Sequence, residues 1–179
     1  ITRAQLDEIR PQTGTEALRT LPGVRVVDED GMGLRLNIGI RGQDPDRGRG
    51  VALLEDGVPI TLAPYGQPDA YYVPPIDRME RLELLKGADQ VLYGPQTVGG
   101  TLNYVTPDPP EKLRIKSELR YGRFGYLTAF ASIGDTYGNA GWLVQAFHTR
   151  YDGPRQLNAR QTDVLAKGRL QTGRHAFLT

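Results

Sequence analysis

Hydrophobic and polar positions follow two different patterns along this chain, and the pattern changes at a proline cluster at residues 107–110. Before the cluster, short apolar runs are separated by glycine- and proline-rich turns, which indicates several short elements. After it, apolar and charged residues alternate over segments of about ten residues, which indicates strands. We therefore predict two domains, at residues 1–108 and 109–179.

The first domain begins with two predicted helices. Thr2 is placed to cap a short amphipathic helix over residues 3–9. Thr13 or Thr15 is placed to cap a second helix, which ends at Pro22-Gly23.

Short apolar and β-branched runs predict the strands of the first domain. The hairpin turn Asp56-Gly57 connects two of them. The runs lie at residues 24–27, 36–40, 51–55, 58–60, 78–87 and 101–106.

The second domain opens with a strand over residues 112–121, in which apolar and charged positions alternate without interruption. Leu113, Ile115, Leu119 and Tyr121 fall on one face, and the charged side chains fall on the other. A membrane barrel strand has this pattern, but so does a strand of a soluble antiparallel sheet, and the strands alone leave both interpretations open. Further strands are predicted at residues 126–133, 142–151 and 163–170, with a turn at residues 135–139.

Composition excludes several classes of protein. The chain has 22 basic and 21 acidic residues, so no overall field attracts it to nucleic acid. It has no cysteine, which excludes disulfide scaffolds, thiol catalysis and cysteine-bound metals. The pair Gly99-Gly100 is not followed by Gly-Lys-Ser/Thr, so it is no phosphate-binding loop, and His148 and His175 have no partners at metal-ligand spacing.

Five motifs in the first 110 residues resemble, in order and spacing, the plug domain of TonB-dependent outer-membrane receptors. This resemblance implies an α+β plug domain, a small mixed sheet with short helices, followed by the first antiparallel strands of a transmembrane β-barrel of about 22 strands. The chain would then be a fragment of a longer receptor. The motifs are Leu21-Pro22-Gly23-Val24, Ile40-Arg41-Gly42, Leu54-Glu55-Asp56-Gly57-Val58-Pro59, Met79-Glu80-Arg81-Leu82-Glu83 with Lys86-Gly87, and Tyr93-Gly94-Pro95 through Thr106.

The resemblance also implies a function, which is import rather than catalysis. Residues 63–68 and 93–100 resemble the ferric citrate branch of the family, so the implied cargo is ferric citrate or a related iron chelate. Iron would arrive within the cargo, and no resident cofactor or metal site is expected. The implied location is the outer membrane of a Gram-negative cell, with the plug accessible from the periplasm. The implied partners are the chelate, outer-membrane lipid and TonB, which would act through a segment upstream of residue 1, and no nucleic acid is expected.

Two ligand contacts are carried over from the resemblance, Arg41 and Gln67. Arg41 would donate charge-assisted hydrogen bonds to a polycarboxylate. The alternative is a structural ion pair with Glu80 or Glu83. A third contact of the ferric citrate branch would come from residues 28–34, where this chain offers Met32 instead of a hydroxyl.

The charges of the strand at residues 78–87 are interpreted as contacts of a plug with the barrel wall, in preference to acid–base catalysis. Two other functions stay open. The same architecture could import cobalamin or a catechol siderophore, and a soluble carbohydrate- or phosphate-processing enzyme is the more distant alternative. The charged residues concerned are Glu80, Arg81, Glu83 and Lys86.

Overall fold

The computed structural model describes residues 1–29, 31–48, 50–60, 72–86, 99–153, 158–172 and 177–178. The chain divides into two compact units, Ile1–Thr106 and Pro107–Thr179. Among the described residues, no helix combines the length and the apolar character needed to cross a membrane.

Both predicted helices are confirmed. Helix α1 spans Arg3–Ile9 and begins with a capping box, in which the Thr2 hydroxyl accepts from the Gln5 backbone N–H and the Gln5 side chain accepts from the Thr2 N–H. Helix α2 spans Gly14–Arg19, and its cap is Thr13. The caps satisfy backbone donors that the first helical turn leaves without partners.

Six short strands of the first unit form two sheets. Strands β1 and β2 pair in antiparallel fashion. The other four form a mixed sheet in the order β4-β3-β6-β5, in which β3 and β6 are parallel and the outer pairs are antiparallel. The strands are β1 Val24–Val27, β2 Asn37–Ile40, β3 Val51–Glu55, β4 Val58–Pro59, β5 Arg81–Leu85 and β6 Gly100–Val105.

A hydrophobic core joins these sheets to both helices within the first unit. Strands β2, β3 and β6 supply its centre, and Tyr104 is fully buried there. The core residues are Leu6, Ala17, Leu18, Leu36, Ile38, Ile40, Val51, Leu53, Val73, Ile76, Met79, Leu82, Leu102 and Tyr104. Burial of this apolar surface is the main force that holds the unit together.

The prediction of a strand beginning at Arg78 is wrong. A 3₁₀-helix covers Ile76–Arg78, and strand β5 begins only at Arg81. Arg78 is buried, with 2% of its side chain exposed, and Nη1 donates to Glu55 Oε1 at 2.7 Å. Its Nη2 donates to the Tyr72 hydroxyl at 2.7 Å. Hydrogen bonds to partners elsewhere in the unit hold this turn, so the local charge pattern does not predict it.

The second unit is a meander of five antiparallel strands in the order β11-β10-β9-β8-β7. The turn predicted at residues 135–139 is wrong, because β8 continues to Tyr137 and pairs there with Ala140. Only Gly138 and Asn139 form the turn, and Gly138 supplies its left-handed φ of 57°. The strands are β7 Arg114–Tyr121, β8 Leu127–Tyr137, β9 Ala140–Tyr151, β10 Ala159–Gln171 and β11 Phe177–Leu178.

On β7 and β10, the two faces of this second sheet are inverted relative to those of a water-soluble sheet. On β7, Ile115, Leu119 and Tyr121 are 70%, 72% and 80% exposed. The charged side chains between them, Lys116 and Glu118, are half-buried. The predicted alternation on β10 is confirmed in the same sense, because Val164, Ala166 and Leu170 are exposed and Asp163, Lys167 and Arg169 are less so.

Candidate functional site

The two ends of the four-stranded sheet carry different groups. At one end, the Ile1 amino group donates to the Leu82 carbonyl at 2.7 Å, and the Thr106 N–H donates to Asp56 Oδ1 at 2.8 Å. The first and last residues of the unit therefore lie at the same end of the sheet. The opposite end is where β5 finishes at Leu85 and β6 begins at Gly100.

Two cations meet at this opposite end. The Arg41 Nη2 donates to the Lys86 carbonyl at 3.3 Å, and the Lys86 ammonium donates to the Pro22 carbonyl. The Arg41 backbone N–H donates to the Gly23 carbonyl at 3.1 Å. We call Pro22, Gly23, Arg41 and Lys86 the cationic end of the sheet.

The backbone at Arg41 explains how its side chain reaches this position. Arg41 directly follows β2 and has a left-handed φ of 56°, and Gly42 continues the turn with a φ of 83°. A left-handed conformation is uncommon for a residue with a side chain and costs of the order of 1 kcal/mol. The turn leaves the Arg41 side chain exposed, with its guanidinium beside the end of β5.

Neither cation has a carboxylate partner within the described part of the chain. The alternative ion pair between Arg41 and Glu83 is not formed, because Glu83 Oε1 accepts from Arg81 Nε at 2.6 Å and Glu83 Oε2 accepts from Asn103 Nδ2 at 3.0 Å. Glu80 forms no ion pair with Arg41 among the described residues either. Two positive charges at the cationic end are therefore available to an anion.

Sequence reasoning selects Arg41 for this site but misses Lys86. It assigns Lys86 to the charged strand, whereas the structure places it one residue beyond Leu85, the last residue of β5, with its ammonium on the turn before β1. The sequence would have revealed the position of Lys86 only if it had shown that β5 ends at Leu85. The other predicted contact, Gln67, lies outside the described residues, and Met32 is buried, with 8% exposed.

The carboxylate of β5, Glu83, is held as a structural charge by its two hydrogen bonds. The hydrogen bond from Arg81 is the main cause that lowers the pKa of Glu83, against the opposing effect of partial burial. A carboxyl group that serves as a general acid near neutral pH needs a raised pKa instead. Within the described residues, no cluster of three or more acidic or histidine side chains is placed to hold a metal ion.

The family follows from comparison with known proteins. The TonB-dependent receptor plug domain matches residues 1–101, which is more than half of the chain. The chain belongs to this family. Family membership, together with the mixed sheet, short helices and following antiparallel strands, confirms the resemblance to the plug domain and the fold class expected from the sequence.

Three members of the family illustrate what this chain is similar to. It is 31% identical over 161 residues to the vitamin B12 transporter BtuB of Photobacterium profundum, covering 90% of this chain and 25% of BtuB. It is 28% identical over 174 residues to the ferric enterobactin receptor PirA of Pseudomonas aeruginosa, covering 84% of this chain and 22% of PirA. The solved structure of the unliganded ferric citrate transporter FecA superposes with a TM-score of 0.81 at 29% identity, covering 95% of this chain and 28% of FecA.

These relatives are transporters and receptors by name, and this chain spans about a quarter of their length. The matched part contains the plug and the strands that follow it. The cargo named differs from one relative to the next.

Proposed function

We propose that this chain is part of a TonB-dependent outer-membrane receptor that imports an anionic ferric chelate, with citrate or a related carboxylate as the chelator. The observation that carries this proposal is the pair of cations Arg41 and Lys86, which have no carboxylate partners among the described residues and lie at the end of the plug sheet opposite Ile1 and Thr106. The likeness to FecA supports the same cargo class.

The chemistry of the cationic end suits a polycarboxylate. Arg41 presents a planar donor fork that can bind a carboxylate through two parallel hydrogen bonds, and Lys86 adds a compact positive charge. Gln67 is the second contact that the resemblance implies, as an amide donor to the same chelate. Iron enters as part of the cargo, and the plug residues need to bind only its carboxylate shell.

The second unit supports a location in the outer membrane. Its exposed face is apolar at Ile115, Leu119 and Val164, which are 70%, 72% and 70% exposed. An apolar outer face with polar groups on the other side is typical of strands that face lipid. TonB would act from the periplasm through a segment upstream of Ile1 and remodel the plug to release the cargo.

A second candidate function is import of cobalamin, favoured by the 31% identity to BtuB. Catechol siderophores are a third cargo class, named in the relative PirA. Arg41 and Lys86 favour an anionic chelate over cobalamin, and the likeness to FecA favours a carboxylate chelate over a catecholate.

The test is Arg41→Gln in the full-length receptor. We expect ferric citrate to bind about tenfold more weakly, since a hydrogen bond to a charged group contributes roughly 1.5–3 kcal/mol. Isothermal titration with ferric citrate, cyanocobalamin and ferric enterobactin measures the three affinities side by side. Arg10→Gln is the matched control, because Arg10 is an exposed arginine at the end of helix α1 and is not one of the residues of the cationic end.

Unchanged ferric citrate affinity in the Arg41→Gln receptor would contradict the role of Arg41. Tight binding of cyanocobalamin with no measurable binding of ferric citrate would contradict the cargo class. Both variants should insert into the outer membrane normally, because neither position lies in the second unit.

A further inference from the structure

Four residues form a row across the second sheet near one of its ends. Tyr121 on β7 is opposite Leu127 on β8, Leu127 is opposite Arg150 on β9, and Arg150 is opposite Arg160 on β10. Tyr121 is 80% exposed, and both arginines are exposed on the same face. This face is the one that carries the exposed apolar side chains of the sheet.

The arginine pair is unfavourable without a counter-charge. Side chains directly opposite each other on neighbouring strands lie about 4.5–5.5 Å apart at Cβ, and like charges in that position are destabilising. In the described part of the chain, neither Arg150 nor Arg160 forms an ion pair or a hydrogen bond to a carboxylate. An anion bound between the two guanidinium groups would relieve the repulsion and accept hydrogen bonds from both.

The rows next to the arginines change from polar to apolar along the strands. His148 Nδ1 and Thr162 Oγ1 lie 2.8 Å apart in the adjoining part of the same face. Beyond them, Ala146 is opposite Val164 and Val144 is opposite Ala166. The arginines therefore lie at the edge of an apolar surface. At such an edge, the head group of a bound lipid would meet its acyl chains.

The length of the apolar surface matches a membrane. Trp142 stands near the other end of β9, eight residues before Arg150, which is about 27 Å along a strand. With the usual tilt of barrel strands this spans roughly 20 Å across a bilayer, close to the ~25 Å apolar band between the aromatic girdles of outer-membrane barrels. Trp142 and Tyr121 occupy the two girdle positions, 37% and 80% exposed.

The connections between strands identify which leaflet the arginines face. At the Trp142 end, two residues, Gly138 and Asn139, join β8 to β9, and five residues join β10 to β11. At the arginine end, residues 122–126 and 152–158 join the strands. Outer-membrane barrels have short turns on the periplasmic side and longer loops outside, so the arginine end faces the outer leaflet.

We propose that Arg150 and Arg160 bind the phosphate group of a lipid in the outer leaflet, with its acyl chains against the apolar rows that include Val144 and Val164. This inference rests on the proposed location of the second unit in the outer membrane. The lipid, rather than free phosphate, is the occupant because the cationic pair adjoins an apolar surface on the same face. A lipid that bridges β9 and β10 would also offset their like charges.

The test is the double variant R150Q/R160Q in the full-length receptor, purified in mild detergent. Native mass spectrometry and titration measure binding of bisphosphorylated lipid A and of the same lipid with its phosphates removed. We expect the double variant to bind bisphosphorylated lipid A at least about tenfold more weakly, because two charged hydrogen-bond donors are lost. Binding of the dephosphorylated lipid should be weak and equal for both receptors.

Two matched variants control the experiment. Arg114→Gln removes an exposed arginine from the opposite face of β7 and should leave lipid binding unchanged. R150K/R160K keeps both charges and should retain most of the binding. The single variant R150Q, which should weaken binding, carries the test if the double glutamine variant fails to fold. Ferric citrate affinity should be the same in all of these receptors, so a loss of chelate binding and a loss of lipid binding are told apart.

The proposal is overturned if R150Q/R160Q binds bisphosphorylated lipid A as tightly as the unaltered receptor. It is also overturned if millimolar inorganic phosphate displaces the lipid, since the site would then recognise free phosphate. Equal weakening by Arg114→Gln would show a general loss of positive charge rather than a site. A receptor that is absent from outer membranes altogether would contradict the proposed location, whatever its lipid binding.

Discussion

At the scale of single residues, the Gln43 side chain explains why positions 50 and 99 are occupied by glycine. A Cβ added at Gly50 or at Gly99 would overlap the Gln43 Oε1 atom. The Gly99 N–H also donates to the Gly50 carbonyl at 2.7 Å, so the two strands that follow, β3 and β6, start in contact. Gln43 lies two residues after Arg41. It therefore links the turn at the cationic end to the start of the two central strands, β3 and β6.

Gly99→Ala should therefore destabilise the plug and disturb the cationic end. The new Cβ would lie 2.7 Å from the Gly50 carbonyl, which belongs to the backbone and cannot rotate away. We expect a loss of roughly 1–3 kcal/mol, the usual cost of an overpacked site. Urea unfolding of the full receptor, followed by a plug-specific probe, measures it.

Gly168→Ala is the control for Gly99→Ala, because a Cβ at Gly168 meets nothing within 4 Å. Combining Gly99→Ala with Gln43→Ala should recover the part of the loss that comes from the amide, and a double-mutant cycle isolates that part. Additive effects of the two substitutions would mean that Gln43 and Gly99 do not interact.

At the scale of elements, the buried pair of Arg78 and Glu55 fastens the 3₁₀-helix Ile76–Arg78 to β3. Their closest atoms are 2.7 Å apart, and the side chains are 2% and 18% exposed. The pair of Arg81 and Glu83 on β5 is as short, at 2.6 Å, but its side chains are 47% and 36% exposed. The two ion pairs therefore differ mainly in their access to water.

Glu55→Gln should destabilise the plug by about 3–5 kcal/mol, because it leaves the Arg78 charge buried without its carboxylate. Glu83→Gln removes a carboxylate of the exposed pair and should cost less than about 1 kcal/mol. Unfolding midpoints of the two variants in the same denaturant series make the comparison. Equal losses would mean that the burial of Arg78 does not set the strength of its ion pair.

The elements also show how far the sequence predicts the fold. The caps at Thr2 and Thr13 and the hairpin at Asp56-Gly57 are local, since each depends on residues within about four positions. The buried position of Arg78 depends on Glu55, which is distant in the sequence, and a charge pattern cannot reveal it. The contact of Arg41 with Lys86 likewise depends on sheet topology. Of the two cations, the sequence therefore predicts only Arg41 as part of this site.

At the scale of the whole molecule, an exposed apolar face defines the second unit. The row Ile115, Ile133, Val144 and Ala166 crosses four strands in register. The alternation that produces this row is visible in the sequence of β7. Which face is exposed is not visible there, because a soluble sheet alternates in the same way with the opposite face buried. In the structure, Ile115 and Ile133 are 70% and 38% exposed, which shows that the apolar face of this sheet is the exposed one.

Ala131→Arg should impair assembly into the outer membrane, because Ala131 pairs with Ala146, midway between Trp142 and Arg150, and an arginine facing lipid near the bilayer midplane costs about 2–4 kcal/mol. Ser132→Arg places the same charge one residue away on the opposite, half-buried face and should be tolerated better. Heat-modifiable migration of membrane fractions measures the folded receptor in each case. Equal assembly of the two variants would contradict a lipid-facing role for the face that carries Ala131 and Ile133.

The parallel pairing of β3 with β6 has a consequence for the order in which the plug is built. Val51 and Gly100 are neighbours in the sheet, although the whole segment with β4 and β5 lies between them. Closing so long a loop costs entropy before any contact rewards it, whereas the β1–β2 pair and the helices form from nearby residues. Since Lys86 reaches Arg41 only once β5 has joined this sheet, the proposed anionic cargo would find its binding site only after a slow, long-range pairing step of plug folding.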